Sequence, residues 1–188
     1  MTQLVLGFAP LPAPIPRGPV WPPMPLRAAL TPPALPLRRA PSSAPAPARF
    51  QVLYLVGCGK TKAPRRSRAR DLYTGSLFRA CRAHAEQHGT SWRILSAAFG
   101  VVRPEKVLDP YDRKLPQARG EREAWGINAA TLLTSDPELS AGFRVVCLAG
   151  ADYADPVLEV LRARGIECEE PLRGLGLGKR LQWLKERS

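Results

Sequence analysis

The sequence predicts an α/β domain: three layers around a mostly parallel sheet of about four strands, preceded by a disordered N-terminal tail. Three observations lead there. Short apolar runs rich in β-branched residues alternate with segments of helical period in the order βαβαβαβα, which buries a parallel sheet between helices. Glycines at 89 and 165 punctuate the helical segments where chain direction must change. Fourteen of the 21 prolines fall in residues 1–49, with no acidic residue among them. Proline fixes φ and removes a backbone donor, so that stretch holds neither helix nor sheet, and the folded domain is expected over 50–188.

The elements follow in order. Residues 52–56 are a continuous apolar run, read as a buried strand. Ser76 is the candidate N-cap of a helix over 77–88 that stops at Gly89. A second strand spans 92–96, and a long connection, 97–120, follows; connections of that length are more often functional than idle. Residues 121–133 read as a helix whose apolar face is Trp125, Ala129, Leu132 and Leu133. A third strand covers 143–149. Asp155 as N-cap and Pro156 at the first helical position then open a helix ending at Gly165. Residues 166–170 are the fourth strand, and Gly174, Gly176 and Gly178 lead into a last helix carrying Leu177, Leu181 and Leu184. If the strands are parallel, their carboxyl ends share one edge, so Cys58, 96–100, 150–153 and 171–176 are expected around one crevice.

The formal net charge is +12. Five arginines of the tail contribute; in the domain 23 basic against 16 acidic residues leave +7. Lys60, Lys62, Arg65, Arg66, Arg68 and Arg70 cluster in an acid-free stretch. Such a cluster suits phosphate or a nucleic-acid backbone, and a solvated loop is the other reading. Cys58, Cys81, Cys147 and Cys168 show no C-x-x-C spacing, which argues against a disulfide framework or zinc site; no metal is expected, and the cofactor is unknown. No run is long enough to span a bilayer and the start lacks a basic export signal, so a cytoplasmic protein without membrane attachment is expected. Met24 is an alternative start.

Candidate chemistry centres on Cys58, at the end of the first strand between Gly57 and Gly59. Lys60 and Lys62 nearby favour thiolate over thiol, which makes Cys58 a candidate nucleophile; a structural cysteine at a tight strand end is the other reading. Gly57-Cys58-Gly59-Lys60-Thr61 is not a phosphate-binding P-loop, because the required first glycine would stand at Tyr54, inside the strand. Tyr73 and Ser76 bring a phenol and a hydroxyl to the start of a helix, where amides favour an anion, though Ser76 also serves as a simple cap. Asp112 stands in a Pro-Tyr-Asp turn of the long connection, and His84 and His88, without a third ligand, read as surface residues.

The blocks Leu55-Val56-Gly57-Cys58 with Lys60 and Lys62, Ala69-Arg70-Asp71-Leu72-Tyr73 with Ser76 and Phe78, Ile94-Leu95-Ser96-Ala97 with Gly100, and Pro110-Tyr111-Asp112 with Leu115 resemble an uncharacterised bacterial domain family related to the peroxide-stress protein YaaA. Gly150, Tyr153, Pro171-Leu172 and the segment 178–184 continue the likeness. The resemblance implies DNA binding and protection of DNA under peroxide stress. The order of Cys58, Lys60 or Lys62, Tyr73 and Ser76 is also similar to the signature of the archaeosine synthase core domain, which acts on a deazaguanine nitrile in transfer RNA. The expected function is therefore binding of a nucleotide, modified base or nucleic acid, with nucleic-acid modification in view. Cys58, Lys60, Tyr73 and Ser76 are the catalytic candidates; Lys62, Ser96, Asp112, Gly150 and Tyr153 are the ligand-binding ones. The alternatives are a non-enzymatic DNA-binding stress protein and a redox sensor that oxidises at Cys58.

Overall fold

The structure is a computed structural model that describes residues 51–139 and 142–187; the expected tail over 1–49 lies outside the described residues. In chain order the elements are β1 (Gln51–Gly57), β2 (Ser67–Arg68), α1 (Ala69–Leu72), α2 (Ser76–His88), β3 (Ser91–Ser96), β4 (Gly100–Val102), β5 (Val107–Leu108), α3 (Arg119–Thr134), a 3₁₀ turn (Pro137–Leu139), β6 (Phe143–Cys147), α4 (Ala151–Ala163), β7 (Cys168–Glu169) and α5 (Leu177–Glu186). The main sheet has five strands in the order β4-β3-β1-β6-β7. All neighbouring pairs are parallel except β3 and β4. The three-layer α/β class holds, with one strand more than expected.

Alternation along β1 builds both cores. Leu53 and Leu55 enter a cluster with Ala129, Leu133, Val157 and Leu158 of α3 and α4. Tyr54 and Val56 enter the opposite cluster with Phe78 and Cys81 of α2 and Leu184 of α5. The chain leaves β1 toward the α2 face and leaves β6 toward the α4 face. The sheet therefore has its topological switch between these adjacent strands, and a crevice opens outside their carboxyl ends.

Several local expectations give way to packing. Helix α4 starts a turn earlier than the Asp-Pro pair suggests, with Gly150 as N-cap and Pro156 inside the helix. Burial of Ala154 holds the extra turn, and the carbonyl that Pro156 deprives of a donor belongs to Asp152, an exposed residue. In α2 the N-cap is Gly75, and Ser76 is the first helical residue without a side-chain capping bond. Leu132, 45 % exposed, and Leu177, 59 % exposed, leave the apolar faces assigned to them; Ala130 and Gly126 are buried in α3 instead. His84 is buried, against the surface expectation, between Tyr54 and Trp183. The long connection contains β4 and β5, and β5 pairs with β2 through Ser67–Leu108 and Arg68–Val107. That ribbon ties the basic stretch to the long connection. Among the described residues no helix is long and apolar enough to cross a membrane.

Candidate functional site

Strand β1 ends where β6 also ends, and the two chains nearly touch. A Cβ on Gly57 would lie 3.2 Å from the Cβ of Ala149, which is tighter than ordinary contact and explains glycine there. The Cys58 amide still donates to the Leu95 carbonyl at 2.9 Å, so the sheet holds the cysteine's backbone while its side chain leaves the ladder. Cys58 is half-buried, and its Sγ lies 3.4 Å from the Tyr153 hydroxyl in the first turn of α4. The Tyr153 ring meets Trp125 edge to face at 5.5 Å, and Trp125 donates its indole N–H to the Ser96 carbonyl at 3.2 Å. Thiol and phenol are thus clamped at the switch point between β1 and β6.

Two cavities open on either side of this pair. One, of about 410 Å³, is lined by Cys58, Tyr153, Lys60, Lys62, Asp112, Arg113, Lys114 and Arg122. Its cations outnumber its carboxylates, and one of them, Arg122, is paired with Asp152 at 3.3 Å. The other, of about 430 Å³, also has Cys58, Lys60 and Tyr153 in its wall and continues to Gly75, Ser76, Phe78, Gly150 and Leu177. These last residues are the starts of α2, α4 and α5, whose N-caps are Gly75, Gly150 and Gly176. None of the three starts is closed by a side-chain cap, and α2 and α5 carry no acid in their first turns. Unpaired amides and the positive ends of three helix dipoles therefore border one chamber, an environment that favours an anion.

Of the candidates, Cys58, Lys60, Lys62, Asp112 and Tyr153 meet in the first cavity, and in the second Ser76 and Gly150 join Cys58, Lys60 and Tyr153. Tyr73 and Ser96 do not reach either wall: they are 1 % and 0 % exposed. They lie a layer behind the walls. Both hydroxyls instead grip Tyr111, each at 2.8 Å from its phenolic oxygen. Tyr111 in turn carries the Lys62 ammonium over its ring, 4.4 Å from the centroid. Of the expected segments, 96–100 and 171–176 are absent from the walls of both cavities, and Leu177 takes the place of the latter.

Burial raises the phenols of Tyr73, Tyr111 and Tyr153 above their ordinary value. For Tyr73, hydrogen bonds from its neighbours oppose that shift without reversing it. All three remain protonated at neutral pH and act as neutral hydrogen-bond groups. Burial also pushes the Cys81 and Cys147 thiols up to about 12, which leaves them inert beside half-exposed Cys58. Tyr111, Trp125, Arg113 and Arg122 were missed as site residues. Tyr111 had a signal in its Pro-Tyr-Asp turn; Trp125 looked like an ordinary member of an apolar helix face. Among the described residues no group of three metal-ligating side chains is gathered.

No curated protein matches the chain. The model of a family of unknown function (DUF6884) matches residues 53–186, nearly the whole described domain with the strand-end cysteine and both cavities inside it, and the chain belongs to that family.

Proposed function

We propose that the protein binds a nucleotide, free or within a nucleic acid, in the paired cavities, and that Cys58 is the nucleophile that acts on it. The observation that carries this reading is the position of Cys58 in the wall shared by a cationic chamber and a chamber bordered by three uncapped helix starts. Phosphate suits both chambers, and the chamber beside Leu77 and Phe78 also offers apolar surface to a base. Tyr153 keeps its proton and can donate it in a hydrogen bond to a thiolate, the form of sulfur that attacks. A relationship to YaaA-like proteins, and a nucleic-acid-modifying reaction of the kind the archaeosine synthase core performs, belong to the same proposal.

The test is alkylation of the full chain by iodoacetamide, read by peptide mass spectrometry with and without nucleoside monophosphates. Bound nucleotide should slow modification of Cys58 about tenfold, while half-buried Cys168 reacts as before. Cys58→Ser should keep nucleotide binding and lose any turnover. If none of the common nucleotides shields Cys58 or raises the melting temperature, the reading is wrong. The second reading, a non-enzymatic DNA-binding stress protein, is favoured by the unpaired cations of 60–66 and 106–114. It requires tight, steeply salt-dependent binding to duplex DNA that Cys58→Ser leaves unchanged.

A further inference from the structure

Phe99 is 42 % exposed, yet it is held firmly. It occupies the turn between β3 and β4, where the Ser96 hydroxyl accepts hydrogen bonds from the amides of both Ala98 and Phe99 at 3.2 Å. Gly100 follows with φ of +68°, a conformation that lets the chain reverse directly behind the ring. Its ring meets Tyr111 edge to face at 5.3 Å, and the Lys106 ammonium stands 5.7 Å from its centroid. Tyr111 then carries Lys62. Cation, aromatic, aromatic, cation: this row runs without a break from the open surface at Phe99 to a wall of the Cys58 chamber, which Lys62 lines.

The charge around the row is one-sided. The β2–β5 ribbon lays 67–70 beside 104–108, reinforced by the Ala69 amide bonded to the Lys106 carbonyl at 2.8 Å and the Arg70 amide bonded to the Pro104 carbonyl at 3.0 Å, and so ties together the two basic segments 60–66 and 106–114 that flank it. Glu105 is engaged by Arg68 and Arg70. Among the described residues, Lys60, Lys62, Arg65, Arg66, Lys106, Arg113 and Lys114 have no carboxylate partner, against Asp109 and Asp112 as the unpaired acids of these segments.

We infer that this face binds single-stranded nucleic acid, with the sugar-phosphate backbone along these cations and an unpaired base stacked on Phe99, so that a neighbouring nucleotide enters the Cys58 chambers. The inference rests on the nucleotide reading of the cleft and names the form in which the nucleotide arrives. A rigid, exposed aromatic beside unpaired cations is what a single strand needs, because every base offers a π-face while the backbone supplies charge. A duplex hides those faces in its own stack, and chambers of about 410 and 430 Å³ have room for a nucleotide, not for a double helix.

The experiment is fluorescence anisotropy of the full chain with labelled oligomers of about 12 nucleotides, as single-stranded DNA, single-stranded RNA and duplex. Single strands of one or both sugars should bind at least about tenfold more tightly than duplex, the sugar preference naming the source. Phe99→Ala should weaken single-strand binding by about tenfold, and Phe99→Trp should restore it. Neither should change shielding of Cys58 by a mononucleotide, which separates this inference from the reading of the cleft. Equal binding by Phe99→Ala and wild type, or by duplex and single strand, overturns it.

Discussion

Tyr111 shows how one residue can organise a site without being its reactive group. Its hydroxyl joins Tyr73 to Ser96, its ring carries Lys62, and its edge supports Phe99. Removing that oxygen leaves two buried hydroxyls short of a partner. Tyr111→Phe should therefore cost about 1–3 kcal/mol in urea unfolding. It should also loosen Lys62 and weaken nucleotide shielding of Cys58; a variant as stable as wild type would show that the chain of hydroxyls carries no weight. Cys58, Lys60 and Tyr153 were legible in the sequence because strand ends at a parallel edge are few and each bears a distinctive residue. The roles of Tyr73 and Ser96 were not, since sequence order says which residues approach a crevice but not which lie a layer behind its wall. Tyr111 had only its Pro-Tyr-Asp turn as a local sign, and its place in the site depended on the long connection folding back, a tertiary event.

At the level of elements, α3 and α4 approach closely enough at Gly126 that no side chain fits between them. A Cβ on Gly126 would collide with the carbonyl oxygen and Cβ of Pro156, so the helices cross backbone to backbone at that point. Gly126→Ala should force them apart and destabilise by about 1–3 kcal/mol in chemical denaturation. Because Tyr153 and Trp125 lie on these same helices, the thiol–phenol pair should loosen as well, seen as faster alkylation of Cys58. The sheet and most helices were legible from periodicity and glycine punctuation. The start of α4 was not: Asp-Pro is a strong local sign, but burial of Ala154 in the core outweighs it. Strands β2, β4 and β5 have two or three residues each, too few for a period to show.

For the whole molecule, the groups whose pKa folding shifts bound the pH range of stability. Asp136 loses solvation by burial, which alone would raise its pKa, but hydrogen bonds from Arg93 and the field of Arg103 outweigh that and lower it. Glu170 is lowered likewise by Arg162 and Arg173 against its own burial. A carboxylate with a lowered native pKa stabilises above its ordinary value, about 4, and that contribution is lost as pH falls through the lowered one. The raised phenols of Tyr54, Tyr73, Tyr111 and Tyr153 act at the other end: their contribution is complete below about 10 and is lost as pH rises through their native values. Urea midpoints should be highest between about pH 6.5 and 8.5, falling below that range first through His84, whose pKa burial lowers, and above it first through the buried Cys81 and Cys147 thiols; unchanged stability down to pH 2 would remove the arginine clusters from that account. The sulfur at position 58 is masonry common to two rooms, so a small fluorophore tethered to it would feel an occupant entering by either door, and a bulky one would shut both.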